Sequence, residues 1–227
     1  MTGASSGFGA ETARQLADMG VNLLLGARRE DRLGRVAAEC LERGAASAHV
    51  HKLDVADTAS VNAFADWAKA IAGRVDVLIN NAGVGRAIQS LVGADPDDID
   101  QTIDTNVTAM VRLTRKMLPG LIERKGAMVN IGSVAGSYVY PGGNVYAGSK
   151  AFVNHFTLAI RADLHGTGVR VTSIEPGMVE TEFTTVRTGS QDKSDEFYAG
   201  AHPMTGEDIA ETIRWVAELP PHLNVNR

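Results

Sequence analysis

Cysteine is nearly absent from this chain. Cys40 is the single one among 227 residues, which excludes a disulfide framework and any multi-cysteine zinc or iron–sulfur site. Basic residues do not dominate: 22 Lys and Arg stand against 27 Asp and Glu, a net charge of −5. A phosphate-backbone binder needs a basic face, so nucleic acid is disfavoured as a partner. No apolar run approaches the roughly 20 residues that span a bilayer. The start, Met1-Thr2-Gly3-Ala4-Ser5-Ser6, has neither the basic nor the apolar region of a signal peptide. Repeats, low-complexity tracts and linkers are missing too. What remains is a balance of 44% hydrophobic and 22% charged residues, that of a soluble globular protein. A cytoplasmic location and one domain over residues 1–227 are expected. A chain of this length buries about 70% of its unfolded surface and needs no covalent staple.

Short apolar runs at 21–26, 48–53, 75–80, 127–131 and 169–174 alternate with amphipathic stretches at 10–19, 31–43, 60–72, 99–125, 145–165 and 206–219. The runs are rich in Val, Ile and Leu, as strands buried on both faces are. Gly20, Gly44, Gly73, Gly126 and Gly166 each follow a helical stretch, where a left-handed residue ends a helix. The pattern predicts an α/β fold, a doubly wound parallel sheet covered on both faces. Residues 178–204 are the least regular and are expected to form a mobile substrate lid, since they follow the last strand and ligands sit at the carboxyl ends of parallel strands.

Gly3-Ala4-Ser5-Ser6-Gly7-Phe8-Gly9 opens directly onto the first helical pattern. Glycines let backbone approach a pyrophosphate, and the helix start offers free N–H groups. The spacing is not Gly-x-Gly-x-x-Gly, and such turns also occur as plain connections. After the 21–26 run comes Ala27-Arg28-Arg29. An NAD site wants an acid there for the ribose 2′-hydroxyl, whereas two guanidinium forks suit the 2′-phosphate of NADP. The alternative is a solvated charge pair opening a helix.

Tyr146 and Lys150 lie one turn apart on one helical face, and Ser133 follows the 127–131 run. A phenol has an ordinary pKa near 10, about three above neutrality, and a neighbouring ammonium lowers it toward that of a useful base. A serine hydroxyl can hold a substrate oxygen beside it. His49 and His51 have no third ligand near them in sequence, so no metal is expected. Asp95-Pro96-Asp97-Asp98 reads as a helix start, with acids at the positive dipole end. Trp67 and Trp215 read as packing residues.

With these motifs in this order, the chain resembles a short-chain dehydrogenase/reductase from end to end. Thr2-Gly3, Gly7 and Gly9 resemble the family's cofactor turn, Asn80-Asn81-Ala82-Gly83 its Asn-Asn-Ala-Gly segment, and Pro176-Gly177 with Val179 and Thr181 its nicotinamide-holding segment. Within the family, residues 163–178 look most like the NADP-dependent 3-hydroxy acid dehydrogenases that oxidise serine or allo-threonine.

The resemblance implies a Rossmann-type fold, NADP(H) as cofactor, and a catalytic set of Asn106, Ser133, Tyr146 and Lys150. Gly3, Ser5, Ser6, Gly7, Phe8 and Gly9 would line the pyrophosphate, Arg28 and Arg29 the 2′-phosphate, and Asp54 and Val55 the adenine. Asn81, Ala82 and Gly83 would line the ribose cleft. Tyr146 would exchange the proton, Lys150 would hold the nicotinamide ribose, and Ser133 would orient the substrate. Asn106 would hold a water linking Lys150 to solvent. The resemblance also implies a homotetramer. Other carbonyl substrates, such as a 3-oxoacyl thioester or a ketone, and a non-catalytic nucleotide binder are the alternatives.

A hydroxy-acid substrate brings a carboxylate that must be offset in a closed site. The lid carries Arg187 and Lys193, and the planar fork of Arg187 is the better match. Relatives begin with a strand before the glycine turn and continue past residue 226 with another. The sheet is thus expected to lack its first strand and most of its last, and the chain to fold poorly by itself.

Overall fold

The structure is a computed structural model that describes residues 1–86 and 89–227, without the side chains of Thr188 and Lys193. Lys193 of the expected lid therefore lies outside the described side chains.

Two runs of parallel strands form the middle layer. β1 (Asn22–Ala27) pairs with β2 (Ser47–Lys52), while β3 (Val77–Asn80), β4 (Ala127–Ile131) and β5 (Arg170–Ile174) pair in that order. Thr2 stitches the runs together. It bridges Gly26 of β1, and its N–H donates to the Ile79 carbonyl of β3 at 3.1 Å. Beyond β5, the Asn226 carbonyl accepts from Ser173 N–H at 3.0 Å. Residues at both ends of the chain thus occupy strand seats beside β1, β3 and β5.

Helices cover both faces. α1 (Gly7–Ala17), α2 (Glu30–Glu42) and α9 (Gly206–Glu218) bury Leu16, Leu33, Val36 and Ile213 against one face with Leu25 of β1. α3 (Thr58–Ala72) and α5 (Ala109–Arg124) bury Phe64, Leu113 and Leu121 against the other with Met128 and Val171. This is the doubly wound parallel arrangement expected from the alternation. α6 (Asn144–Asp163) packs beside β4 and β5 and carries Tyr146 and Lys150.

Five expectations need correction. The β2 strand is not buried on both faces: Val50 is exposed, because β2 pairs with β1 alone. The 99–125 stretch is not one helix but α4 (Pro96–Ile103), a π-helical turn at Asp104–Thr108, and α5. Asp95 caps α4 by accepting from Asp97 N–H, and Pro96 fills its first turn. Gly126 does not take the left-handed conformation; Lys125 does, at φ 52°. A Cβ on Gly126 would stand 2.3 Å from the Asp76 carbonyl oxygen, so glycine is needed there for close approach, and the turn falls one residue earlier.

The 178–204 stretch is not an irregular loop. It holds β6 (Val179–Glu180), α7 (Glu182–Thr188), α8 (Gln191–Tyr198) and Met204 of β7 (Met204–Thr205). The Tyr198 hydroxyl ties α8 back by donating to the Val179 carbonyl at 2.7 Å. Trp67 packs among His51 and Phe64, whereas Trp215 is exposed on the outer side of α9.

Candidate active site

The carboxyl ends of β1, β3, β4 and β5 meet in one cleft. Its floor at the β1 side is the glycine turn. Gly3 sits at φ 67°, and a Cβ on Gly9 would stand 2.2 Å from the Gly3 carbonyl oxygen. Only glycine at position 9 lets the turn close onto the start of α1. Asn81 braces it: the side-chain amide donates to the Thr2 and Gly3 carbonyls at 3.0 and 3.2 Å. Asn81 thus shapes the turn through its amide nitrogen.

The start of α1 is open. Its N-cap Ser6 makes no capping bond and no acid stands in the first turn. At Gly7, φ is 51° and nothing lies within 4 Å of where a Cβ would be. Free N–H groups at a positive dipole end with room before them suit a pyrophosphate. One strand over, Arg29 donates to the Ser6 hydroxyl, and Arg28 is exposed with no partner among the described residues. Asp54 and Val55 follow β2 and Asp54 accepts from Ala56 N–H. Ala82 takes its N–H to the Thr2 hydroxyl. Gly83 is bare where a Cβ would lie 3.6 Å from Lys150 Nζ. Ser5, Pro176 and Gly177 lie on the connections that frame the cleft, Phe8 in the first turn of α1, Val179 on β6 and Thr181 at the cap of α7. The residues present therefore fit a dinucleotide.

The four residues expected to be catalytic are buried. Ser133, Tyr146, Lys150 and Asn106 are each at most 8% exposed. Ser133 caps the turn Val134–Gly136, its Oγ accepting from Ala135 N–H at 3.1 Å. Asn106 lies in the π turn and reaches two ways: Nδ2 donates to the Val84 carbonyl at 2.8 Å and to Ser149 Oγ at 2.9 Å. It joins the segment after β3 to α6, one residue from Lys150.

Burial sets the ionisation here. The Tyr146 phenol is pushed up to about 12 by desolvation, with a hydrogen bond from Ser133 opposing. Burial brings the Lys150 ammonium down to about 8. Lys150 Nζ donates to the Ile131 carbonyl at 2.8 Å and lies 5.9 Å from the Tyr146 ring centre. The expectation that the ammonium lowers the tyrosine does not hold in this state, because the ammonium is turned to a strand carbonyl and desolvation dominates. A cavity of about 20 Å³ lies between Asn106, Lys150, Asn80 and Thr105.

α7, in the segment expected to be a lid, forms the fourth side. Phe183 packs on Tyr146 with ring centres 5.7 Å apart. Arg187 lies over two rings, 5.4 Å from the centre of Tyr140 and 6.0 Å from that of Tyr146. No carboxylate pairs with Arg187 among the described residues, and the buried Tyr140 hydroxyl has no hydrogen-bond partner. Tyr140, Phe183, Arg32 and Glu182 were not singled out from sequence. Arg32 stands one turn after Arg29 in Arg-Arg-Glu-Asp-Arg, a signal that was available; the others meet the site only through folding.

A parallel sheet, a glycine turn feeding a helix start and a buried Ser–Tyr–Lys wall together define a dinucleotide-dependent oxidoreductase. The chain belongs to the short chain dehydrogenase family, whose model matches residues 1–192. It is 45% identical to a serine 3-dehydrogenase of Rhizobium radiobacter, covering 100% of this chain and 90% of that protein. It is 48% identical, with the same coverage, to sulfoacetaldehyde reductase 2 of Chromohalobacter salexigens. Its structure is similar to the closed form of a serine dehydrogenase complexed with NADP+, with a TM-score of 0.92 at 40% identity, covering 99% of this chain and 90% of that one. Among the described residues no helix is long and apolar enough to cross a membrane.

Proposed function

We propose that this chain is an NADP(H)-dependent oxidoreductase acting on a small anionic substrate, a 3-hydroxy acid or its semialdehyde or keto form. The observation that carries the substrate class is Arg187, an unpaired guanidinium over the ring of Tyr146. A guanidinium stacked on aromatic faces with no carboxylate partner among the described residues is free to pair with a substrate anion. The Tyr140 hydroxyl, unpartnered beside it, is a second donor for that anion. Arg28 and Arg29, with Ala27 instead of an acid at the end of β1, support the 2′-phosphate, and the NADP+ complex of the similar serine dehydrogenase agrees.

The cofactor, when bound, gives or accepts the hydride. In the reducing direction Tyr146 donates its proton to the carbonyl oxygen as that oxygen becomes a hydroxyl, and in the oxidising direction it takes the proton back. Ser133 holds the same oxygen. A phenol held at about 12 is protonated at neutral pH and is ready as an acid. To act as a base, it needs Lys150 turned from Ile131 toward it. The cavity beside Asn106 and Lys150 is large enough for one water, which supports the role of Asn106 in linking Lys150 to solvent. On the outer side of α6, Phe152 and Phe156 stack 5.6 Å apart beside exposed Leu158. Such an apolar strip supports assembly across a two-fold axis into the expected homotetramer, and the expected cytoplasmic location is kept.

The similarity to a sulfoacetaldehyde reductase favours a second reading within the same class, in which the anion is a sulfonate. Arg187→Ala tests both. It should raise KM for malonic semialdehyde, or for sulfoacetaldehyde if that is the better substrate, by about tenfold, equivalent to about 1.4 kcal/mol. Turnover of an uncharged aldehyde of similar size should barely change. Equal losses on charged and neutral substrates would remove the anion-binding role.

A further inference from the structure

The lid helix α7 touches both ends of the cofactor cleft. Phe183 and Arg187 face the catalytic tyrosine, while Glu182, at the start of the same helix, faces the arginines that follow β1. Its two carboxylate oxygens accept from Arg32 Nη1 at 2.9 and 3.0 Å, and one of them from Arg29 Nη1 at 3.3 Å. Arg29 at the same time donates to Ser6 of the glycine turn. The three charged side chains are 39–53% exposed, so the pairs add little to stability. Their interest lies in where they are: Arg29 is one of two guanidinium groups assigned to the 2′-phosphate, and it is already shared with a carboxylate from the lid.

We propose that Glu182 is a positioning residue that couples the cofactor's 2′-phosphate to the lid. Through Arg32 it holds α7 down on the catalytic tyrosine, and at Arg29 it competes with the phosphate. A 2′-phosphorylated cofactor takes Arg29 and leaves Glu182 to Arg32, so the lid stays tethered while the phosphate is bound. This rests on the NADP(H) reading above. Two effects of opposite sign follow. The carboxylate opposes a dianionic phosphate a few ångströms away, an interaction worth roughly three- to tenfold in affinity at near-aqueous dielectric and weaker in high salt. It also keeps Phe183 and Arg187 where the substrate binds.

Glu182→Gln preserves shape and removes the charge. Binding of adenosine 2′-phosphate and of adenosine, measured by calorimetry, separates the phosphate from the rest of the site. The variant should bind adenosine 2′-phosphate three- to tenfold tighter than wild type, bind adenosine equally, and lose most of the gain at 0.5 M salt. Its KM for the anionic substrate should rise two- to fivefold with kcat within twofold of wild type. Arg32→Gln should show the same rise in KM without tighter phosphate binding. Unchanged or weaker binding of adenosine 2′-phosphate by Glu182→Gln overturns the competition, and an unchanged KM in both variants overturns the tether. If wild type itself fails to prefer adenosine 2′-phosphate over adenosine, the NADP(H) reading fails and this coupling with it. Equal adenosine binding by variant and wild type shows that the site is folded in either case.

Discussion

Tyr146 stands between two walls built in opposite ways. On the α6 side, every residue proposed to do chemistry is buried, and two of them carry ionisation displaced by desolvation. On the α7 side, Glu182 is half exposed and paired with Arg29 and Arg32 across some 150 residues of sequence, while Arg187 lies over aromatic rings. Chemistry needs fixed geometry and low dielectric, which strands and a long helix supply. Substrate choice needs groups that can let a ligand in, and short helices tied by surface ion pairs supply that. The catalytic wall therefore stores instability, and the lid does not.

The sharpest way to break this contrast is at Tyr146. Tyr146→Phe should lower turnover by about 10²–10⁴-fold, the range of a general acid–base group, and leave NADPH binding nearly intact in a fluorescence titration. Near-normal turnover would remove the buried wall from the reaction. Arg28 tests the exposed end of the cleft. Losing this partnerless guanidinium should weaken NADPH binding by about 1.5–3 kcal/mol, the scale of a charge-assisted hydrogen bond, and leave NADH binding unchanged; comparison of the two dissociation constants checks it.

The smallest effect concerns stability. Lys150 is held at about 8 when folded against about 10.4 unfolded, so between those values the unfolded chain binds more protons. Stability then rises with pH across that window, and below pH 8 the full penalty of burying the charge remains. Lys150→Met should remove the rise. It should also stabilise the protein near pH 7 by about 1–2 kcal/mol, the desolvation relieved less the hydrogen bond lost at Ile131. Cys40, raised to about 11 by burial, and Tyr146 act in the opposite sense above pH 9 and 10. Both cancel when chemical denaturation of variant and wild type is compared at each pH.

The placement of the proposed catalytic residues was legible from sequence where it follows regular elements. Tyr146 and Lys150 share a helical face by spacing, and Ser133 follows a Val- and Ile-rich run that is β4. The break between α4 and α5 was not legible, since a π turn leaves the apolar spacing on either side looking continuous. The lid helices were missed for another reason. The Gln-Asp-Lys-Ser-Asp-Glu of α8 has no apolar stripe, and what holds it is the Tyr198 hydroxyl on the Val179 carbonyl. Lys125 in a left-handed turn has a cause 49 residues away, at the Asp76 carbonyl that crowds Gly126. Periodicity reports elements that would form on their own pattern, and it is silent where a distant backbone decides.

The π turn at Asp104–Thr108 has a consequence for anyone who would redesign this protein. Such turns are rare, and a helix closing i→i+4 bonds is the better backbone. Deleting one residue there would regularise the run from α4 to α5 and rotate Asn106 by about 100° relative to one of its flanks. Its amide would then leave Val84, Ser149 or both. A design procedure that rewards ideal helices would make that deletion first, and the resulting protein would be sturdier and catalytically impaired. The irregularity is the length of chain that lets Asn106 reach Val84 and Ser149 together.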